Sequence, residues 1–314
     1  MKLSPVIPFE PVPTEVIPQG EQWVAQIKWD GIRLLTYFDG RQVALFNRHK
    51  KDRTWHYPEL TAIETYCSAR SVILDGEVIA LVNGKPSFHQ VMRRDGVRTG
   101  KSLSFLQGQV PIIYMVFDLL YFNDEWIIDR PFEERHRLLR EILTPSSSVQ
   151  LVQNEEDPLA LFEVVKKLDL EGIVIKDRHS RYVINGKDKR WQKKKRLKDL
   201  YAVVGGVTFN QNIVNALLLG LYDEKGRLWY IGRAGTGKLT QADWLSITEG
   251  VKALKTKERP FVNRPDRHKD AVWLKPELTV KVHFLEWTKK GTMRQPSIQA
   301  IVPIEVEACT FQQV

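Results

Sequence analysis

An α+β fold followed by a smaller β-rich unit is the architecture that the sequence predicts, on three observations. Strand-like and helical segments are mixed without regular alternation. The length of 314 residues exceeds what one hydrophobic core usually supports, roughly 250–300 residues, so two domains are expected. After a basic run over 186–200 the texture changes to strands interrupted by one helical stretch, and the expected domains are 1–198 and 199–314.

The elements follow in chain order. Prolines at 5, 8, 11, 13 and 18 make the first 18 residues an extended arm, expected to lie on the surface. RLLTYF and RQVALF flank Asp39-Gly40, a pair suited to a two-residue type I′ hairpin turn. Further strands are expected over 71–82, ahead of an Asn83-Gly84 turn, and over 111–122 and 171–176. RPFEERHRLLREIL carries a proline near its start, and Asp157-Pro158 reads as a cap and first turn for LALFEVVKKL, so both segments are expected as helices. Beyond residue 198 come YAVVGGVTF, ALLLGLYDEKGRLWYIGRAG, a helix from about Gln241 to Lys255, and WLKPELTVKVHFLEWT. That order is compatible with a five-stranded oligonucleotide-binding barrel.

Composition narrows the function. Hydrophobic content of 43% and charged content of 27% are those of a globular protein with a sizeable core. The sequence has neither an apolar run of about 18 residues nor the apolar core of a secretion signal, so an intracellular, cytoplasmic protein with no membrane partner is expected. Cys67 and Cys309 are too few and too far apart for a cysteine metal cluster, and are expected as small core residues. A net charge of +9 favours polyanionic partners. Basic residues gather at 187, 189, 190, 193, 194, 195, 196 and 198 around Trp191, which is unlike a purely solvated face.

Two segments carry candidate chemistry. IGRAGTGKLT holds most of a G-x-x-x-x-G-K-[ST] phosphate loop, but Leu239 occupies the hydroxyl position, no helix is signalled directly after Lys238, and a turn is the better reading. In AQIKWDGIR, Lys28 ends an apolar strand and precedes Asp30, Gly31 and Arg33. A lysine held rigidly at a strand end is suited to act as a nucleophile, although K-x-D-G by itself also describes an ordinary turn with a surface lysine.

Further motifs decide between these. KWDGIR, FNRHKKDRTWHYPEL, LDGEVIAL, VFDLLYF, LEGIVIK and RWQKKK occur in the order and spacing of the ATP-dependent DNA ligases. The chain resembles that family of the covalent nucleotidyltransferase superfamily, and most nearly the ligase modules of bacterial end-joining enzymes. PFEERHRLLREIL and SFHQVMRRD also resemble its helices. The resemblance implies a nucleotidyltransferase domain of antiparallel sheets with flanking helices, then an OB-fold barrel. It implies a ligase that uses ATP and Mg²⁺ or Mn²⁺ to seal 3′-hydroxyl/5′-phosphate breaks through a lysyl-AMP and an adenylated DNA. Lys28 is the implied nucleophile, and Lys193 and Lys195, alternating along a strand so as to share one side, would neutralise the α-phosphate. The implied nucleotide site comprises Gln26, Ile27, Lys28, Arg33, Arg48, Glu77, Phe117, Lys193 and Lys195, with Phe117 stacked on adenine. Glu77 and Glu171 are the implied metal carboxylates, and Asp118 is expected to support the metal or the lysine strand. Arg33, Arg48, Arg233, Lys238 and Arg294 are expected at DNA. The implied partner is nicked or broken duplex DNA, with a monomeric enzyme and a Ku-type end-binding protein as a further partner.

The sequence departs from the family at two points. Gln26 stands where this branch commonly has glutamate, although its amide oxygen can still accept from the adenine amino group. The C-terminal R-x-D-K segment, which orients pyrophosphate in the first step, is replaced by Val302, Ile304 and Glu305, with Arg294 or Lys290 as substitute cations. An RNA ligase or capping-type guanylyltransferase is the alternative reading, and a nucleic-acid-binding relative that does not turn over is the second.

Overall fold

The structure, a computed structural model, describes residues 3–266 and 268–313, so Met1 and Lys2 of the N-terminal arm lie outside it. The chain divides into two compact units, Met1–Arg196 and Leu197–Val314.

The first unit is built on two sheets. One runs Glu10–Pro13, Lys187–Lys195, Gly172–Asp177, Trp23–Ile27 in spatial order. The arm therefore does not merely lie on the surface: Glu10–Pro13 pairs in parallel with Lys187–Lys195, and Phe9 is fully buried against Trp191 at 5.2 Å between ring centroids. Backbone alternation explains why prolines are compatible with this. Glu10 and Thr14 donate to Gly186 and Lys193, so the positions between them whose nitrogens point away from the sheet are Pro11 and Pro13. Helix α4, Pro158–Lys167, covers one face of the sheet, packing Leu161, Phe162 and Val165 on Ala25, Ile173 and Ile175. Asp157 caps this helix by accepting from the amides of Leu159 and Ala160.

The second sheet runs Val43–Asn47, Ile32–Phe38, Val72–Val82, Ile112–Phe122, all antiparallel. Its principal core includes Leu34, Leu45, Leu74, Val78, Tyr114 and Val116, flanked by α1 (Phe88–Asp95), α2 (Gly100–Gln109) and α3 (Phe132–Ile142). The Asn83-Gly84 turn has positive φ at both residues, 51° and 76°, as a type I′ turn requires. The Asp39-Gly40 turn is displaced by one residue. Phe38 pairs with Val43, only Gly40 of the pair has positive φ, and Asp39 Oδ1 accepts from the amides of Arg41 and Gln42, which pulls the tip of the bend onto Gly40 and Arg41. Helix α2 has no counterpart among the expected elements because its sequence buries a single residue, Leu103, and offers no apolar stripe.

The second unit is dominated by one curled sheet, beside which Glu286–Trp287 and Met293–Arg294 form a separate two-stranded pair. Leu228–Ala234, Ile213–Tyr222, Lys198–Asn210 and Val272–Phe284 pair in that order, with Ser297–Ile301 on the last of these. A parallel bridge from Gly237 to Ile298 brings the continuation of Leu228–Ala234 back to Ser297–Ile301, which closes the barrel. This bridge also removes the phosphate-loop reading of IGRAGTGKLT. Gly237 has φ +146° and an added Cβ would lie 1.8 Å from the Ile298 oxygen, while Lys238 donates its amide to Ile298 rather than leaving it for an anion. A helix does follow closely, α5 (Gln241–Leu254), but its N-terminus is filled by a reciprocal cap between Thr240 and Asp243. Cys67 and Cys309 are both buried and unbridged. No helix among the described residues is long and apolar enough to cross a membrane.

Candidate active site

Strand alternation assembles the site. On the first sheet, Ala25, Ile27, Ile173 and Ile175 face α4, so Val24, Gln26, Val174, Lys176, Trp191, Lys193 and Lys195 share the opposite face. Cross-strand pairing sets Gln26, Val174 and Lys193 in one row, and Lys195 and Gly172 in the next. Lys28 leaves its strand beside that second row, its amide donating to Gly172 O at 2.9 Å. Its Nζ lies 2.6 Å from Glu171 Oε2, and Lys195 Nζ lies 3.0 Å from Glu171 Oε1. Glu171 is therefore a buried carboxylate clasped by two ammonium groups. Lys193 makes no side-chain hydrogen bond or ion pair among the described residues, and burial together with Lys195 and Lys28 lowers its pKa. Lys194, on the other face, donates to Glu15 O at 2.6 Å. The loop after Lys28 lies so close to the second sheet that a Cβ on Gly31 would sit 2.1 Å from Val78 O, which is why glycine completes K-x-D-G.

Gln26 is 2% exposed, and its Nε2 donates to Asn154 Oδ1 at 2.8 Å. Phe117 is half-buried on the second sheet. Lys176 Nζ approaches the rings of Trp191, Phe132 and Phe117 at 4.0, 4.4 and 4.6 Å, and burial pushes its pKa down to about 7. Sequence reasoning missed this residue although Lys176, like Lys28, is a lysine within an otherwise apolar strand. Nothing in the sequence marks Asn154.

Several expected site residues are placed otherwise. Ile27 packs its side chain toward α4, away from the lysine face. Arg33 is not open to phosphate: it forms a two-pronged bond with Asp75 at 2.9 and 2.6 Å and also donates to Phe9 O and the Tyr182 hydroxyl. Burial alone would lower its pKa, but Asp75 and Tyr182 outweigh that and raise it. Asp118 is engaged elsewhere: both its oxygens accept from Arg135, at 2.8 and 2.9 Å, in a pair with no exposure. Arg48 is exposed, with a long contact of 3.9 Å to Glu10. Arg233, Lys238 and Arg294 belong to the second unit, where Arg233 donates to Thr208 Oγ1 at 2.9 Å and Arg294 pairs with Glu286 at 3.0 Å.

Glu77, paired in register with Arg33 on the neighbouring strand, makes no hydrogen bond or ion pair among the described residues. Burial raises its pKa to about 8, against the pull of Lys28 and Arg33. With Glu171 it makes two carboxylates, and the described residues include no group of three metal-ligating side chains. Two suffice for a magnesium-type ion that takes its remaining ligands from phosphate and water. The folded state binds the Glu77 proton more tightly than the unfolded chain, so its contribution to stability is present at low pH and is lost as pH rises toward and through about 8. Thermal melts between about pH 6 and pH 9 are expected to show a smaller decline for Glu77→Gln than for the wild type. Equal declines would mean that Glu77 titrates normally.

Residues 10–195 match the ATP dependent DNA ligase domain and residues 210–302 the ATP dependent DNA ligase C terminal region. The multifunctional non-homologous end joining DNA repair protein LigD of Mycobacterium tuberculosis is 31% identical over 91% of the chain and 37% of its own length. The corresponding Pseudomonas aeruginosa protein is 29% identical over 88% of the chain and 33% of its own length. The chain thus spans about a third of these curated relatives. A solved mycobacterial DNA ligase D, complexed with ATP and MES, superposes with a TM-score of 0.55 at 28% identity, covering 96% of both chains. With both halves matched and the lysine face assembled from the motif residues, the chain belongs to the ATP-dependent DNA ligase family.

Proposed function

We propose that the chain joins 3′-hydroxyl and 5′-phosphate ends in duplex DNA at the expense of ATP. The observation that carries this reading is the row Lys28–Glu171–Lys195, with Lys193 beside it on the same sheet face. In the first step the Lys28 amine attacks the α-phosphate of ATP, forming a P–N bond as the bond to pyrophosphate breaks. Glu171, 2.6 Å away, orients the amine and is positioned to take up its proton. Lys193 and Lys195 supply positive charge where the phosphate oxygens gain negative charge. The AMP then passes to the 5′-phosphate of the break, and the 3′-hydroxyl displaces it. Glu77 and Glu171 would hold Mg²⁺ or Mn²⁺, which when bound adds further neutralisation of phosphate charge.

The likeness to end-joining relatives supports broken duplex ends as a substrate and a Ku-type end-binding protein as a partner. A gel assay on a nicked duplex with ATP and divalent metal, scored for adenylated DNA and joined product, tests the reading. Absence of both products would refute it, and adenylation without turnover would favour the relative that does not complete the cycle. The basic run over 187–198 should make binding strongly electrostatic, with affinity for duplex DNA falling about tenfold or more between 50 and 200 mM salt. An affinity indifferent to salt in a binding titration would count against DNA as the polyanion.

A further inference from the structure

Gln26 lies on the lysine face of its strand, Trp23–Ile27, and Lys28 follows just beyond the strand's end, so a nucleotide joined through its phosphate to Lys28 extends its base toward the Gln26 amide. That amide is held from one side, its Nε2 donating to Asn154 Oδ1 at 2.8 Å. An amide whose NH₂ group is engaged in this way presents its oxygen, an acceptor only, to whatever approaches from the other side. The backbone on either side of Asn154 is fixed by main-chain bonds. Ala25 and Glu155 exchange two backbone bonds, at 2.9 and 2.8 Å, and Val152 donates to Val116 O at 2.8 Å, next to Phe117. The segment 152–155 therefore ties the Gln26 strand to the Phe117 strand, with Asn154 held between the two anchors.

We propose that Asn154 is a specificity-determining positioning residue: it holds the Gln26 amide in one of its two orientations, so that the site accepts adenine and rejects guanine. Adenine offers an amino group at the ring position where guanine offers a carbonyl oxygen. A fixed acceptor pairs with the first and leaves two acceptors facing each other with the second. Released from Asn154, the amide turns over and donates to guanine. The inference rests on the adenylyl-transfer reading and adds to it the origin of base choice.

The test is covalent labelling of the full chain with α-labelled ATP or GTP, followed by a denaturing gel, for wild type, Asn154→Leu and Asn154→Asp. Aspartate offers only acceptors and keeps the Gln26 NH₂ group engaged; leucine cannot. The ATP-to-GTP labelling ratio is expected to stay within about twofold of wild type in Asn154→Asp and to fall at least about tenfold in Asn154→Leu. An unchanged ratio in Asn154→Leu, or a collapsed one in Asn154→Asp, overturns the role of Asn154. Wild-type protein labelled by neither nucleotide would overturn the adenylyl-transfer reading itself. Should the leucine variant fail to fold, Asn154→Ala, which likewise lacks the acceptor, takes its place: a fall of at least about tenfold supports the proposal and an unchanged ratio refutes it.

Discussion

Lys28→Ala is expected to abolish covalent labelling by ATP and to lower joining of an ordinary nick by on the order of 10⁴-fold or more, because no covalent route remains. The same variant should still close a nick whose 5′-phosphate already carries AMP, since the last step uses the DNA hydroxyl and not the lysine. The structure makes the comparison clean. Glu171 keeps Lys195 at 3.0 Å when Lys28 is shortened, so the truncation does not leave a buried carboxylate without a partner. Retained labelling in Lys28→Ala would show that another lysine of the same face, Lys193 or Lys195, is the nucleophile.

The first step of the wild-type enzyme is expected to be slower than the later ones by about 10²–10³, the effect of losing roughly 2–4 kcal/mol of charge stabilisation at a leaving phosphate. Val302, Ile304 and Glu305 stand where the family resemblance implies arginine, aspartate and lysine. The Val302 amide donates to Thr279 O and the Thr279 hydroxyl to Val302 O, so this stretch is tied into its own barrel. Pyrophosphate leaves only in the first step, so closure of a pre-adenylated nick should be rapid while turnover with ATP waits on formation of lysyl-AMP. Single-turnover measurement of the separate steps decides this. A first step as fast as the others would mean that another cation has assumed the role, with Arg294 and Lys290 the first to substitute.

Much of the site was legible because strand alternation is a local rule. Lys193 and Lys195 share a side whatever surrounds them. What was not legible depends on distant partners. Arg33 looks like a phosphate ligand until Asp75 and Tyr182 close around it. Asp118 looks available until Arg135 takes both its oxygens. The burial of Phe9 depends on Trp191, and the proline pattern around it reports only that the chain is extended. The two glycine turns show the same limit on a smaller scale. Asn83-Gly84 follows the backbone rule, whereas the Asp39 side chain adds hydrogen bonds that shift its turn by one residue.

The order of strands in the first sheet has a consequence for synthesis. Glu10–Pro13 and Trp23–Ile27 are made early, yet they pair with Lys187–Lys195 and Gly172–Asp177, which are made last within the unit. Closing so long a loop carries a large entropic cost and cannot begin until those late strands have left the ribosome. On the proposed mechanism, the nascent chain therefore carries Lys28 for most of its elongation without Glu171, Lys193 or Lys195 beside it. On that mechanism reactivity toward ATP requires the whole unit, so a chain cut short before residue 187 is expected to be chemically inert rather than a half-active enzyme.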